Sequence, residues 1–425
     1  MKKYLILTVG GSCEPLVTSI NQFKPDYTVF VCSQRSKEMI DGTGNVCISS
    51  AAKKTGLSSP DLPNIPAQTG LAKGTYKTVV LKDGQEDDLD ACYKTIFDYM
   101  AGIRAKDKDA IIAADYTGGT KAMTAAIVLA ALTVENVELK LVTGQRNDLT
   151  QVVSGTEVLT SVRRQHIDFN RIKSECNKML EKYEYAGAED ILENFLANTT
   201  LDISLESKVK DWISICRGFD AWDRFDHNKA KQLLAGKIDE KYLHFLGCIV
   251  SGTNKKAWET KSGYLLVNDL MANACRRAAQ GRYDDAIGRH YRAAELVIQT
   301  FLFNKHNIDT SKVPKDKLPK ELSHKVNSDG IAKLGLCDAW QLAAYLDADL
   351  AEWFKDWKEP LIAAVQLRNQ SLFAHGTTPI TEDGYNKDVR DGLAAFVNAA
   401  MDYLKNRGFL GEIIELPEFP TCLPD

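Results

Sequence analysis

The chain reads as an α/β domain followed by an all-α region, and three observations carry that reading. Runs of Val, Ile, Leu and aromatic residues at 4–9, 27–32, 78–81, 110–114 and 138–142 have the length of buried strands. Helical patterns at 15–23, 86–103 and 121–133 lie between several of them, an alternation that predicts a mostly parallel, Rossmann-like sheet. After about residue 165 the strand signal disappears, and helical patterns continue to the Pro-rich end ELPEFPTCLPD.

The first strand runs from two lysines through a short apolar stretch into Gly10 and Gly11, too short a run for a signal peptide and better read as β-structure. The helix over 86–103 opens on acidic residues, as a helix N-terminus favours, and the one over 121–133 is Ala-rich. The Pro-spaced stretch at 58–70 fits a surface loop. Boundaries are expected near 165 and within 263–269, giving a Rossmann-like domain at 1–165, a helical connecting region at 166–264 and a last helical domain at 265–425.

With 425 residues, 44% hydrophobic, 26% charged and a net charge of −4, the chain is long enough for two or three cores and carries no overall basic field for nucleic acid. Nucleic acid would have to be met in a local cleft. Ten cysteines lack CxxC pairs or nearby His spacing, so neither zinc nor a disulfide framework is expected, and they read as small buried hydrophobes. No apolar window reaches membrane-spanning length, which makes a reducing, cytoplasmic location the default.

Two Gly-rich turns stand at strand ends. DYTGGTKAMTAA (115–126) sets Thr117, Gly118, Gly119, Thr120 and Lys121 where a strand passes into a helix, so free amides, hydroxyls and a cation face the same space. The match to neither GxxxxGK[ST] nor GxGxxG argues against a P-loop or dinucleotide fingerprint. TVGGSCEP brings Gly10, Gly11 and Ser12 to the equivalent place after the first strand, with Ser33 and Ser36 following the second. Together they predict one anion-binding rim at the carboxyl edge of the sheet, although glycines also follow strands simply to make tight turns.

QLRNQSLFAHG (366–376) places Arg368 and His375 seven residues apart. A helix running to Gly376 would set both on the stripe that holds Leu361, Val365 and Leu372, with His375 in the last turn. A histidine there can move protons at an RNA 2′-hydroxyl and a 5′-leaving oxygen, while arginine steadies the charged transition state and Asn369 orients a partner. The same spacing also arises in plain structural pairs.

Arg368-Asn369-QSLFA-His375 is similar to the R-x(4–6)-H motif of HEPN ribonucleases, and YDDAIGRHYRAAELVIQTFL upstream resembles the first HEPN helix. With LTVGGSCEPLVTSI and DYTGGTKAMTAA, the chain resembles the CARF–HEPN ribonucleases of type III CRISPR systems, over 1–160 and 265–410. The resemblance implies an N-terminal CARF sensor, a helical connecting region and a C-terminal HEPN domain. It implies a homodimer whose CARF domains bind one cyclic oligoadenylate at Gly10, Gly11, Ser12, Ser33, Thr117, Gly118, Gly119, Thr120 and Lys121. Cyclic tetra-adenylate is the expected ring and hexa-adenylate its alternative. Arg368, Asn369 and His375 of both protomers would then cut single-stranded RNA without metal or other cofactor, leaving 2′,3′-cyclic phosphate and 5′-hydroxyl ends. Some relatives also cleave their activator, a role that Thr117 or Thr120 could serve. The competing reading is a non-catalytic cyclic-nucleotide sensor that recruits a partner through its helical half.

Among the other histidines, His290 draws notice beside Arg289 and Arg292, as a support for the active groove, and Glu295 reads as a partner for an arginine. The lysines of 311–325 alternate with acids and read as a solvated loop.

Overall fold

The computed structural model describes the whole chain except residues 50, 51, 54, 57, 58, 146–154, 252–255, 261, 373–375, 411–413 and 425. It divides into two compact units, Met1–Asp168 and Phe169–Asp425.

In the first unit, β1 (Lys3–Val9), β2 (Tyr27–Cys32), β5 (Tyr76–Val80), β6 (Ile111–Asp115), β7 (Val137–Thr143) and β8 (Val158–Ser161) form one sheet in the order β5-β2-β1-β6-β7-β8. β1 pairs in parallel with both neighbours, Ile6 lying against Val29 on one side and Ala114 on the other. Leu5, Ile6 and Leu7 are all fully buried, so alternation fails and a continuous apolar run results. The same run marks β2 and β6, and all five sequence-predicted strands are found.

Three strands of this unit escape the pattern. β8 (VLTS) is antiparallel to β7 and largely exposed, and β3 (Asn45–Cys47) pairs with β4 (Leu62–Pro63) inside the Pro-spaced stretch. Short polar edge strands give little periodicity to read.

Helices cover both faces of the sheet. α1 (Glu14–Phe23) and α3 (Ile65–Thr69) bury Leu16, Ile20 and Ile65 with Leu5, Leu7 and Phe30 on one side, where the short α2 (Glu38–Asp41) adds Ile40. α4 (Leu89–Lys106) and α5 (Lys121–Thr133) bury Cys92, Ile96, Met100, Met123 and Ala126 with Ile6 and Ala114 on the other. α4 is capped by Asp88, whose carboxylate accepts the amides of Asp90 and Ala91.

The second unit holds two cores. α6 (Gln165–Leu180), which begins in the first unit, α7 (Tyr185–Asn198), α8 (Ile203–Asp223), α9 (His227–Leu234) and α10 (Glu240–Val250) enclose Trp212, Phe219, Trp222 and Phe245, joined by Phe419 and Leu423 from the end of the chain. α11 (Ser262–Ala279), α12 (Tyr283–His306), α13 (Leu336–Leu346), α14 (Ala348–Phe354), α15 (Lys358–Gln370) and α16 (Ala395–Asn406) enclose Val297, Phe301, Trp340 and Phe396. α16 continues a π-helical stretch, Tyr385–Ala394. Asp223 on α8 is buried, yet accepts from Arg276 (2.8 Å), Arg277 and Asn273 (2.7 Å) on α11, so its charge is compensated. The lysine-rich stretch forms short 3₁₀ turns, Lys315–Lys317 and Lys320–Lys325, near a two-stranded ladder of β9 (Val313–Pro314) with β10 (Ile331–Ala332) that the all-helical reading lacks.

The cysteine reading needs correction. Cys13 and Cys47 are disulfide-bonded with Cα atoms 6.0 Å apart, and Cys275 and Cys422 are exposed. The bonded pair lies 34 residues apart, and the fold, not a spacing motif, brings the start of α1 to β3. In a reducing compartment these two would be thiols.

Candidate functional site

The sheet order reverses between β1 and β6, because the chain leaves β1 through α1 on one face and β6 through α5 on the other. Such a reversal opens a crevice at the carboxyl ends of the two strands, where α/β sheets take ligands. Both Gly-rich turns sit at this crevice and touch each other. A Cβ on Gly10 would lie 2.6 Å from the Gly119 amide nitrogen, and one on Gly118 would lie 2.6 Å from the Thr8 carbonyl oxygen. Gly119 also has a φ of +101°, so the turn demands glycine there. Gly11 meets nothing within 4 Å: packing does not require it, and its exposed backbone leaves room for a ligand.

The polar rim residues divide into two groups. The Thr117 hydroxyl donates to the Asp115 carboxylate and accepts the Val142 amide (2.9 Å), tying β6 to β7. Burial pushes the Asp115 carboxyl up, against hydrogen bonds that include those from Thr117. Thr120 caps α5 by accepting the Met123 amide (3.2 Å) and donates to the Glu86 carbonyl. Both hydroxyls hold the turn in shape, which leaves neither as an unengaged group for activator cleavage. Ser12 and Lys121 are exposed, and Ser33 is half-buried and bonded to Ser36 (3.1 Å). The sequence reading missed Lys53, whose ammonium donates to Ser12 Oγ at 3.0 Å and adds a second cation to the rim. No motif marks it.

In the second unit, Arg368 lies in the last turn of α15, half-buried, with its guanidinium carbon 4.7 Å from the centre of the Tyr291 ring on α12. A cation over an aromatic face is held electrostatically while its N–H groups stay available. One of them donates to Asn369 Oδ1 at 3.3 Å. Burial and the nearby Glu295 push the Tyr291 phenol up, against the opposing charge of Arg368.

The helix does not continue to Gly376. It ends at Gln370, where Ser371 turns extended and returns its hydroxyl to the Arg368 carbonyl (2.7 Å). The amides of Leu372 and Ile380 donate to the two carboxylate oxygens of Asp284 on α12, at 3.3 and 3.0 Å. Leu372 is therefore exposed instead of joining the stripe of Leu361 and Val365. His375 lies outside the described residues.

His290 is fully buried, with Nε2 3.1 Å from the Tyr385 hydroxyl, and burial pushes it down to about 4. It belongs to the core, not to a groove. Glu295 pairs with Arg292 at 2.6 Å, the arginine partnership read from the sequence. Among the described residues, no cluster of His, Cys, Asp and Glu could hold a metal ion, and no helix is long and apolar enough to cross a membrane.

Residues 255–400, which contain Tyr291, Arg368 and Asp284, match the family model of the Csm6 HEPN domain. The second unit carries a HEPN domain of the Csm6 type. The fold agrees along the chain: Enterococcus italicus Csm6 bound to cyclic hexa-2'-fluoro-hexa-dAMP superposes with a TM-score of 0.59 over 96% of this chain and 95% of that chain, at 12% identity. An α/β unit followed by a helical unit is thus the fold this chain shares with that Csm6. Can2 from Sulfobacillus thermosulfidooxidans in complex with cyclic tetra-adenylate aligns with 55% of this chain and 68% of that chain, at 12% identity and a TM-score of 0.23, too low for an argument. No curated protein matches the sequence.

Proposed function

We propose that the protein is a type III CRISPR accessory endoribonuclease, in which a cyclic oligoadenylate bound by a CARF dimer activates cleavage of single-stranded RNA by a HEPN dimer in the cytoplasm. The observation that carries this reading is Arg368, half-buried and held over Tyr291 within the stretch that matches the Csm6 HEPN domain, with one N–H on Asn369. The ring-bound state of Enterococcus italicus Csm6, whose fold this chain shares, supports a cyclic oligoadenylate as the ligand of the switch-point crevice. Gly10, Gly11, Ser12, Ser33, Lys121 and the 117–120 turn would surround it, the amides and Lys121 meeting phosphates.

In the cleavage step, His375 takes the proton of a 2′-hydroxyl as that oxygen attacks the adjacent phosphorus. The P–O5′ bond breaks, and the leaving oxygen gains a proton, which gives a 2′,3′-cyclic phosphate and a 5′-hydroxyl. Arg368 neutralises the charge that builds on the phosphoryl oxygens, with Asn369 orienting it. This chemistry runs on side chains alone. The Arg368 and His375 pairs of both protomers would meet in one composite site of the homodimer, and cyclic tetra-adenylate is the proposed ring.

The test is end analysis of a labelled RNA cut by the activated protein. Fragments carrying 5′-hydroxyls, accepting phosphate from a kinase without prior dephosphorylation, are expected from wild type and absent with Arg368→Ala. Fragments with 5′-phosphates, or cutting that persists in Arg368→Ala, contradict the proposal.

A further inference from the structure

Three lysines are brought to one end of the small ladder in the second unit. β9 pairs antiparallel with β10, Val313 against Ala332 and Pro314 against Ile331, and Val326 bridges Ala332 from the other side. Lys312 precedes Val313, Lys333 follows Ala332 and Lys325 precedes Val326, so the antiparallel register sets all three at the same end with Lys333 in the middle. Val313 and Ala332 are fully buried; alternation therefore turns Lys312 and Lys333 outward, and all three lysines are exposed.

Other lysines nearby are matched by acids, Lys305 with Asp347 and Lys256 with Asp309 (2.9 Å). In the row, Lys325 has Asp338 at 2.8 Å, but Lys312 and Lys333 form no ion pair among the described residues. Asp309, the acid nearest Lys312 in sequence, is already engaged by Lys256 and by the Ser311 hydroxyl (2.7 Å). Like charges side by side on neighbouring strands repel, and an anion lying across them removes that repulsion. Lys315, Lys317 and Lys320 differ, since they alternate with Asp316 and Glu321 along the chain.

The row stands beside the arginine of the site. Leu336, three residues after Lys333, offers its backbone amide to the Tyr291 phenol, whose ring lies 4.7 Å under the Arg368 guanidinium. Three residues of chain span at most about 11 Å. With a net charge of −4 over the whole chain, affinity for a polyanion has to come from such a local concentration of cations.

We propose that Lys312, Lys325 and Lys333 form a phosphate-binding ridge that holds the single-stranded RNA substrate beside Arg368. The proposal rests on the ribonuclease reading above and adds to it the surface that gives RNA its affinity. Phosphate contacts position a strand and read no bases, so the ridge serves any sequence and takes no part in bond breaking.

The experiment compares full-length wild type, Lys312→Gln/Lys333→Gln, Lys312→Arg/Lys333→Arg and, as an equal loss of charge elsewhere, Lys178→Gln/Lys229→Gln, with cyclic tetra- and hexa-adenylate. Binding of a fluorescent single-stranded RNA with methylated 2′-hydroxyls, which cannot be cut, is followed by anisotropy from about 50 to 200 mM salt, beside cleavage kinetics on unmodified RNA. The Gln pair on the ridge should raise Kd and KM on the order of tenfold, with kcat within about twofold. Its plot of log Kd against log salt should be less steep by about 1.4, two contacts at about 0.7 each. The Arg pair and the distant pair should follow wild type, and melting of the Gln pair should not fall, because neighbouring like charges are removed.

A wild-type Kd and salt slope in Lys312→Gln/Lys333→Gln, a loss confined to kcat, an equal loss in the distant pair, or wild type that does not bind the methylated RNA overturns the ridge. Wild type that cuts no RNA with either ring removes the ribonuclease reading instead. The methylated RNA still decides the ridge in that case, since its binding needs no cleavage.

Discussion

Tyr291 shows how much of a site's chemistry sits in residues that no motif marks. Its ring lies 4.7 Å under the Arg368 guanidinium, 77 positions away in the chain. Replacing it with Leu keeps the packing but removes the ring quadrupole, an interaction of about 1 kcal/mol. We expect Tyr291→Leu to lower kcat roughly fivefold, the rate equivalent of that energy, with melting little changed; wild-type turnover would show that Arg368 is held by other contacts. His290 offers a second residue-scale prediction. Burial holds it down to about 4, below the 6.5 of an exposed imidazole. Above 6.5 both folded and unfolded chains carry it neutral. As pH falls from 6.5 toward 4 the unfolded chain binds the proton first, so stability drops over that window, by about 3 kcal/mol. Melting followed from pH 7 to 4 should therefore fall less steeply in His290→Gln than in wild type, and parallel curves would contradict the burial argument. Arg368 and the rim glycines were legible in the sequence because motif and turn chemistry act locally. Tyr291, Asp284 and Lys53 were not, because their roles arise only from long-range contacts.

Among the elements, β1, β2 and β6 were readable since they are buried on both faces and appear as nearly unbroken apolar runs, while β5 and β7 were readable from their Val and Leu content despite exposed or half-buried positions. The end of α15 was not. Periodicity carries the pattern through Leu372 to Gly376, but Ser371 and the Asp284 carboxylate offer the backbone competing partners, and the helix stops at Gln370. The two turns at the switch point give a paired prediction. Gly119→Ala should lose about 1–3 kcal/mol, because its φ of +101° disfavours any Cβ and Thr8 and Met123 crowd it at 3.0 and 3.1 Å. Gly11→Ala should melt like wild type, since nothing lies within 4 Å. A weakened affinity for cyclic oligoadenylate in Gly11→Ala, measured by calorimetry, would then report the ligand directly, while equal melting of the two variants would contradict the turn geometry.

At the scale of the molecule, the end of the chain is part of the helical core. Phe419 stacks edge-on to Phe219 (4.9 Å) and Trp222 (5.0 Å), the Arg276 guanidinium lies 3.7 Å from its ring centre, and Tyr185 and Trp212 donate to the carbonyls of Pro420 and Pro424. The sequence reads this stretch as a Pro-rich tail, since aromatic contacts made over 200 residues leave no local trace. Phe419→Ala should destabilise the protein by about 3–5 kcal/mol, read as an earlier thermal transition; unchanged melting would mean that the tail is not held as described. The division of labour between a CARF unit and a HEPN unit is the central claim, and coupling between two sites means that a ligand at one changes activity at the other. The most direct measurement is cleavage of a fluorescent single-stranded RNA in EDTA, alone and with cyclic tri-, tetra- and hexa-adenylate, for wild type and His375→Ala. Cutting that appears with one ring and vanishes in His375→Ala is the predicted result. A folded protein that binds a ring yet cuts nothing, or one whose cutting survives in His375→Ala, would contradict the account.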